Sequence, residues 1–128
     1  MNKSKKWLLS GLGALALTLM AAPVFAATYT AYSLPAFKGN NYTGAHGKTT
    51  TANYITNKVT ALTKTDQVTF WACNNARSQL SNDYYQKLGN TSNIVHGKTQ
   101  KGYQIIMGME NSRISTSTAF VSGNVNFR

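Results

Sequence analysis

Past residue 26 the chain alternates apolar and polar positions with a period of two, the spacing at which a β-strand buries one face. Tyr29, Ala31 and Ser33 alternate with Tyr32 and Leu34. Ile55, Val59 and Ala61 share one parity across residues 51–62. Tyr103, Ile105, Met107 and Met109 alternate with Gln104, Ile106, Gly108 and Glu110. Ala119, Val121, Val125 and Phe127 alternate with polar neighbours, and Gly123 marks a bulge or turn among them. Val68-Thr69-Phe70-Trp71-Ala72-Cys73 is nearly continuous in its apolar character, which predicts a central strand covered on both faces. Pro35 has no N–H to give to a ladder, so the first strand is predicted at an edge. One segment departs from the pattern. Residues 81–89 open on an N-cap candidate, Ser81, carry an early Asp83 and close on Gly89, predicting a short helical segment of one or two turns.

Composition agrees with the pattern. The stretch 27–128 holds 15 Thr and 7 Tyr, which suit strands, and 12 Asn and 8 Gly, which suit turns. Six or seven strands in about 100 residues predict an all-β fold, a small antiparallel β-sandwich or barrel, in a single domain over residues 27–128.

The first 26 residues read differently. Lys3, Lys5 and Lys6 precede an apolar run over residues 7–22, and Val24-Phe25-Ala26 gives the small-x-small pattern of a cleavage site. The run is shorter than the roughly 20 residues of a bilayer span. A signal-peptide helix over residues 1–26 is therefore predicted, cut after Ala26, with the remainder secreted to the extracellular side. No Cys follows the run to take a lipid.

Charge sets the partners. The whole chain carries 13 Lys+Arg against 3 Asp+Glu, a net +10. Residues 27–128 keep ten of the basic residues and all three acidic ones, a net +7. A field of that sign draws anionic wall polymer, acidic glycan or a membrane surface. The basic residues are scattered with no run among them, which argues against a nucleic-acid tail and against DNA as the partner. Three carboxylates are too few for a calcium or two-metal site. The single Cys73 excludes an intrachain disulfide and a multi-thiolate zinc site, and it is expected to be buried as a small hydrophobe. No metal or cofactor is called for.

A repeat carries the candidate chemistry. Residues 39–49 (GNNYTGAHGKT) recur as residues 89–99 (GNTSNIVHGKT), with six of eleven positions identical and both histidines of the protein inside. Turn chemistry alone makes each HGKT the start of a strand, with Gly47 and Gly97 free to take positive φ and with the Lys and His side chains at the surface. The alternative is an anion-binding site built from His46, Gly47, Lys48, His96, Gly97 and Lys98, in which backbone N–H groups and ammonium groups cradle a phosphate or carboxylate. It is not a P-loop, because Tyr42 and Ser92 stand where that motif needs glycine. A third reading makes His46 and His96 the acid and base of a small secreted ribonuclease.

The strings Lys38-Gly39-Asn40-Asn41-Tyr42, Thr49-Thr50-Thr51, Val68-Thr69-Phe70-Trp71, and Met109-Glu110-Asn111-Ser112 leading into Ser122-Gly123 resemble a family of short exported proteins of unknown function from Gram-positive bacteria. The resemblance implies an all-β extracellular protein and supplies no catalytic residues. That family is often more acidic towards its C-terminus, whereas this chain ends on Arg128. Taken together, these features predict a secreted, cationic, non-catalytic β-domain that associates with anionic cell-envelope polymers or another surface. A bacteriocin-like antimicrobial protein is the alternative that shares its charge and size.

Overall fold

The computed structural model describes residues 27–128. The expected signal peptide, residues 1–26, lies outside the described residues. Nine strands follow one another: β1 (Ala27–Leu34), β2 (Asn41–Tyr42), β3 (His46–Gly47), β4 (Tyr54–Thr63), β5 (Val68–Cys73), β6 (Tyr84–Gln86), β7 (Thr91–Val95), β8 (Gln104–Asn111) and β9 (Ala119–Asn126). They form two antiparallel sheets. One has the order β1-β9-β4-β7. The other has the order β2-β8-β5-β6, with β3 also paired to β8. Two sheets are thus present rather than one closed barrel, and β1 is the edge strand that Pro35 predicted.

The alternation explains the core. Phe70 and Ala72 of β5 lie opposite Met109 and Met107 of β8. They meet Ile55, Val59, Val121, Val125 and Ile94 of the other sheet in one buried cluster. The outer face of β5 is covered as well. Trp71 lies directly over Gly108, where a Cβ would come within 2.3 Å of the indole, and Tyr42 meets the Trp71 ring edge-on at 6.2 Å. Cys73 is buried there as a free thiol, its Sγ 3.4 Å from the Ile106 carbonyl oxygen.

Two elements differ from the sequence expectation. The parity of β1 and β4 changes midway, because each carries an irregularity where it flanks β9. The register jumps between Tyr29 and Tyr32 in β1 and between Val59 and Ala61 in β4. Ala31 takes φ 52° at the first of these, and its N–H donates to Ser122 Oγ at 2.8 Å. Consequently Tyr29, Tyr32 and Leu34 share the inward side, and past Val59 it is Leu62, not Ala61, that packs on the core. Gly123 stands opposite both Tyr29 and Val59, which places the predicted bulges on its neighbours.

The second correction concerns residues 81–89. No helix occurs among the described residues, and this segment supplies β6 instead. Asn82, Tyr84 and Tyr85 are poor helix formers, and a helix of two turns cannot stand on propensity alone. As a strand the segment points Tyr84 inward, leaves Tyr85 exposed and buries Gln86 completely.

Gln86 completes a buried polar chain between the sheets. Tyr29 Oη donates to Asn57 Oδ1 at 2.8 Å, and Asn57 Nδ2 donates to Gln86 Oε1 at 2.9 Å. Gln86 Nε2 donates to the carbonyls of Asn57 (3.1 Å) and Asn90 (2.9 Å). Burial pushes the Tyr29 hydroxyl well above its ordinary pKa, so it stays a donor. Asn57→Ala deletes both the acceptor for Tyr29 and the donor for Gln86 inside the core. Unsatisfied buried groups of this kind cost about 1–3 kcal/mol each, and a urea titration should give a loss of about 2–4 kcal/mol.

Candidate functional site

The two HGKT segments converge at one end of the sandwich. The first begins with β3, which pairs His46 with Ile105 and Gly47 with Gln104 of β8. This pairing runs on through Lys48, whose N–H donates to the Tyr103 carbonyl at 3.0 Å and whose carbonyl accepts from Gly102 N–H at 2.8 Å. The second segment follows β7, which pairs with β4 up to Val95 opposite Tyr54. His96 and Gly97 N–H both donate to the Asn53 carbonyl, at 2.8 and 3.1 Å. Lys48 Nζ donates to the carbonyl of Ala52, the residue before Asn53. Segment 48–54 therefore holds both copies.

The surface expectation fails for half of the motif. Lys48 is only 3% exposed and His96 only 5%. The second copy ends a strand rather than starting one, and of the two glycines Gly97 alone takes a positive φ, at 78°. Tertiary pairing accounts for this. Gly47 is held extended in β3, while Gly97 must turn the chain after His96 has docked on Asn53.

The structure brings together Lys48, His96 and Lys98, and adds Arg128. Thr50 N–H and Oγ1 both donate to the Arg128 main-chain oxygen, each at 2.9 Å. The Arg128 guanidinium lies over the Tyr54 ring at 4.8 Å. His46 takes a different place. Its ring stacks on Phe127 with centroids 4.1 Å apart, and Nδ1 lies 3.0 Å from the Gly44 carbonyl. There it lines a cavity of about 150 Å³ with Tyr29, Tyr32 and Phe127. The two imidazoles thus engage different partners.

The chemistry of the cluster follows from its hydrogen bonds. His96 Nδ1 accepts from Lys98 N–H at 3.0 Å, so in the neutral ring the proton resides on Nε2. That buried Nε2 has no partner, and neither has the buried Arg128 Nε. Lys48 Nζ has three N–H bonds and gives one to Ala52. The three Asp and Glu side chains are engaged elsewhere. Asp66 pairs with Arg113, Glu110 with Lys38, and Asp83 accepts from Gln79. The cluster therefore gathers positive charge with no Asp or Glu side chain to meet it. Desolvation, and then the charges of Lys48 and Lys98, push His96 down to about 4. Desolvation and then the charge of Arg128 push Lys48 down. Among the described residues no group of three His, Cys, Asp or Glu side chains is placed to hold a metal.

Arg128 escaped the sequence reading because nothing local ties it to HGKT. Strand pairing of β9 with β4 over Asn126 and Thr56 delivers it, across more than seventy residues of chain. No protein-family model, curated protein or solved structure matches the chain, and the character of the site is accordingly that of its own unmet donors.

Proposed function

We propose that the protein is an exported, cationic β-sandwich that binds anionic polymers of the cell envelope without turning them over, and that Lys48, His96, Lys98 and Arg128 form its anchor for one phosphate or carboxylate group. The observation that carries this reading is the pair of buried, unpartnered nitrogens, His96 Nε2 and Arg128 Nε, beside the buried Lys48. Unmet donors in a low-dielectric setting are costly, and an anion that accepts from several of them recovers that cost through charge-assisted bonds. The remaining basic residues supply long-range attraction, and export by the predicted leader would bring the domain to such polymers.

Titration with a purified phosphate-bearing wall polymer tests this reading. Affinity should fall steeply between low and physiological salt. Arg128→Gln and Lys48→Gln should each weaken it about tenfold or more. Binding that is indifferent to salt, or to both substitutions, would contradict the reading.

A further inference from the structure

The opposite end of the sandwich carries a different feature. Three loops gather there: β1–β2, β4–β5 and β8–β9. Phe37 N–H donates to the Ser115 carbonyl at 2.7 Å, tying the first loop to the third. Ser112 N–H donates to the Gln67 carbonyl at 3.1 Å, tying the third to the second. On this braced base two large apolar side chains stand in solvent, Phe37 at 69% and Ile114 at 80% exposure. Each is next in sequence to a basic residue, Lys38 and Arg113, and Lys64 lies in the loop between β4 and β5.

The backbone of the first loop is unusual. Phe37 and Lys38 take φ of 57° and 58° in succession, a region that residues with bulky side chains rarely enter. Gly39 makes the turn possible, since a Cβ there would come within 2.7 Å of Pro35. Such conformations cluster at active sites, ligand clamps and switch regions, and here the phenyl ring stands away from the core.

We infer that this end of the molecule is a membrane-docking tip, in which Phe37 and Ile114 enter the interface of an anionic lipid bilayer while Lys38, Lys64 and Arg113 stay at the headgroups. A bilayer suits the geometry better than a protein partner does. The two apolar groups project from separate loops as points, and a fluid interface accepts such points without a preformed complementary surface. The charges complement an anionic leaflet. Lys38 and Arg113 pair with Glu110 and Asp66 at this same end, so the three cations exceed the two carboxylates there by one. Lys64 forms no ion pair among the described residues, and residues 27–128 carry +7 in all. The tip lies at the other end of the strands from Lys48 and His96, so it stands independently of the polymer reading.

The test uses residues 27–128, which contain every described strand and the whole core, so that the apolar leader does not itself bind lipid. Co-sedimentation is measured with vesicles containing about one third phosphatidylglycerol in phosphatidylcholine, and with phosphatidylcholine alone. The protein should bind the anionic vesicles preferentially, and Phe37→Ser with Ile114→Ser should weaken that binding about tenfold or more. The double variant should keep its affinity for wall polymer. In a second measurement, Phe37→Trp should add a tryptophan emission that shifts to the blue on anionic vesicles and is quenched by brominated acyl chains. Absence of vesicle binding, or an added indole emission that stays unshifted on the vesicles, would overturn the inference. So would vesicle binding that survives the double substitution and is competed away by inorganic phosphate, since the headgroup would then be held at Lys48 and His96.

Discussion

Gly123→Ala should lower the stability of the domain by about 3–4 kcal/mol, the upper end of what overpacking a core costs. A Cβ at this position would stand 2.3 Å from the Lys58 carbonyl oxygen and 2.4 Å from Tyr29 Oη. The first is backbone in the neighbouring strand β4, and the second is fixed by its hydrogen bond to Asn57. Neither can yield like the end of a flexible side chain. The backbone of Gly123 is not itself unusual, since it is not among the glycines with positive φ, so the whole penalty is one of space. It falls where β1, β9 and β4 meet and where the irregularities of both flanking strands converge. For a domain of this length the melting midpoint should drop by roughly 12–25 °C. Gly44→Ala is the control. Nothing lies within 4 Å of its Cβ position, and its midpoint should move by no more than a degree or two, on the order of an ordinary surface change. Equal effects at the two positions would refute this account of the central strand.

Acid should destabilise the protein through a single histidine. His96 titrates near 4 in the folded chain against 6.5 for a free imidazole, so the fold prefers the neutral ring. Above pH 6.5 neither state is charged and His96 contributes no slope. Between 6.5 and 4 the unfolded chain binds a proton that the folded chain refuses, so stability falls as pH falls. Below 4 both states are charged and the loss is complete, about 3 kcal/mol in all. Asp66, held below the usual carboxylate range first by its hydrogen bond from Arg113, acts in a lower window, because its stabilisation fades only once the unfolded carboxyl begins to protonate and is lost as pH falls through the folded value. Urea midpoints taken between pH 7.5 and 4 should therefore decline in the wild type and stay nearly level in His96→Gln. An anion in the cluster favours the imidazolium, so added sulfate should stabilise the wild type more at pH 5 than at pH 7.5. A level wild-type profile would mean that His96 is not the buried neutral group described here.

How much of this was legible in the sequence depends on how local each determinant is. β8 and β9 follow from alternation and β5 from its continuous apolar run, since the core-facing residues of each keep one parity from end to end. β1 and β4 do not, because Ala31 and the residue after Val59 are taken up by irregularities that only the partner strand imposes. β6 was hidden behind a helix-like cap and closing glycine. What decides it is the edge of β5 and the buried bonds of Gln86, neither of which residues 81–89 reveal. β2 and β3 are two residues each, too short to show a period. The repeat singled out Lys48 and His96, yet their burial and the arrival of Arg128 depend on pairing between distant strands. The tip residues Phe37 and Ile114 left no periodic trace, since each stands alone between turn residues.

The central claim is that Lys48, His96, Lys98 and Arg128 form a cationic cluster that takes an anionic group. The most direct measurement is the titration of the His96 ring by NMR, with and without the phosphate-bearing wall polymer. Without the polymer the ring should titrate near 4. With it, the midpoint should rise by about a unit or more, since a phosphate accepting from Nε2 stabilises the charged ring. A His96 titration that coincides in the two samples, with the polymer demonstrably bound, would contradict the claim and move the binding surface elsewhere on the molecule.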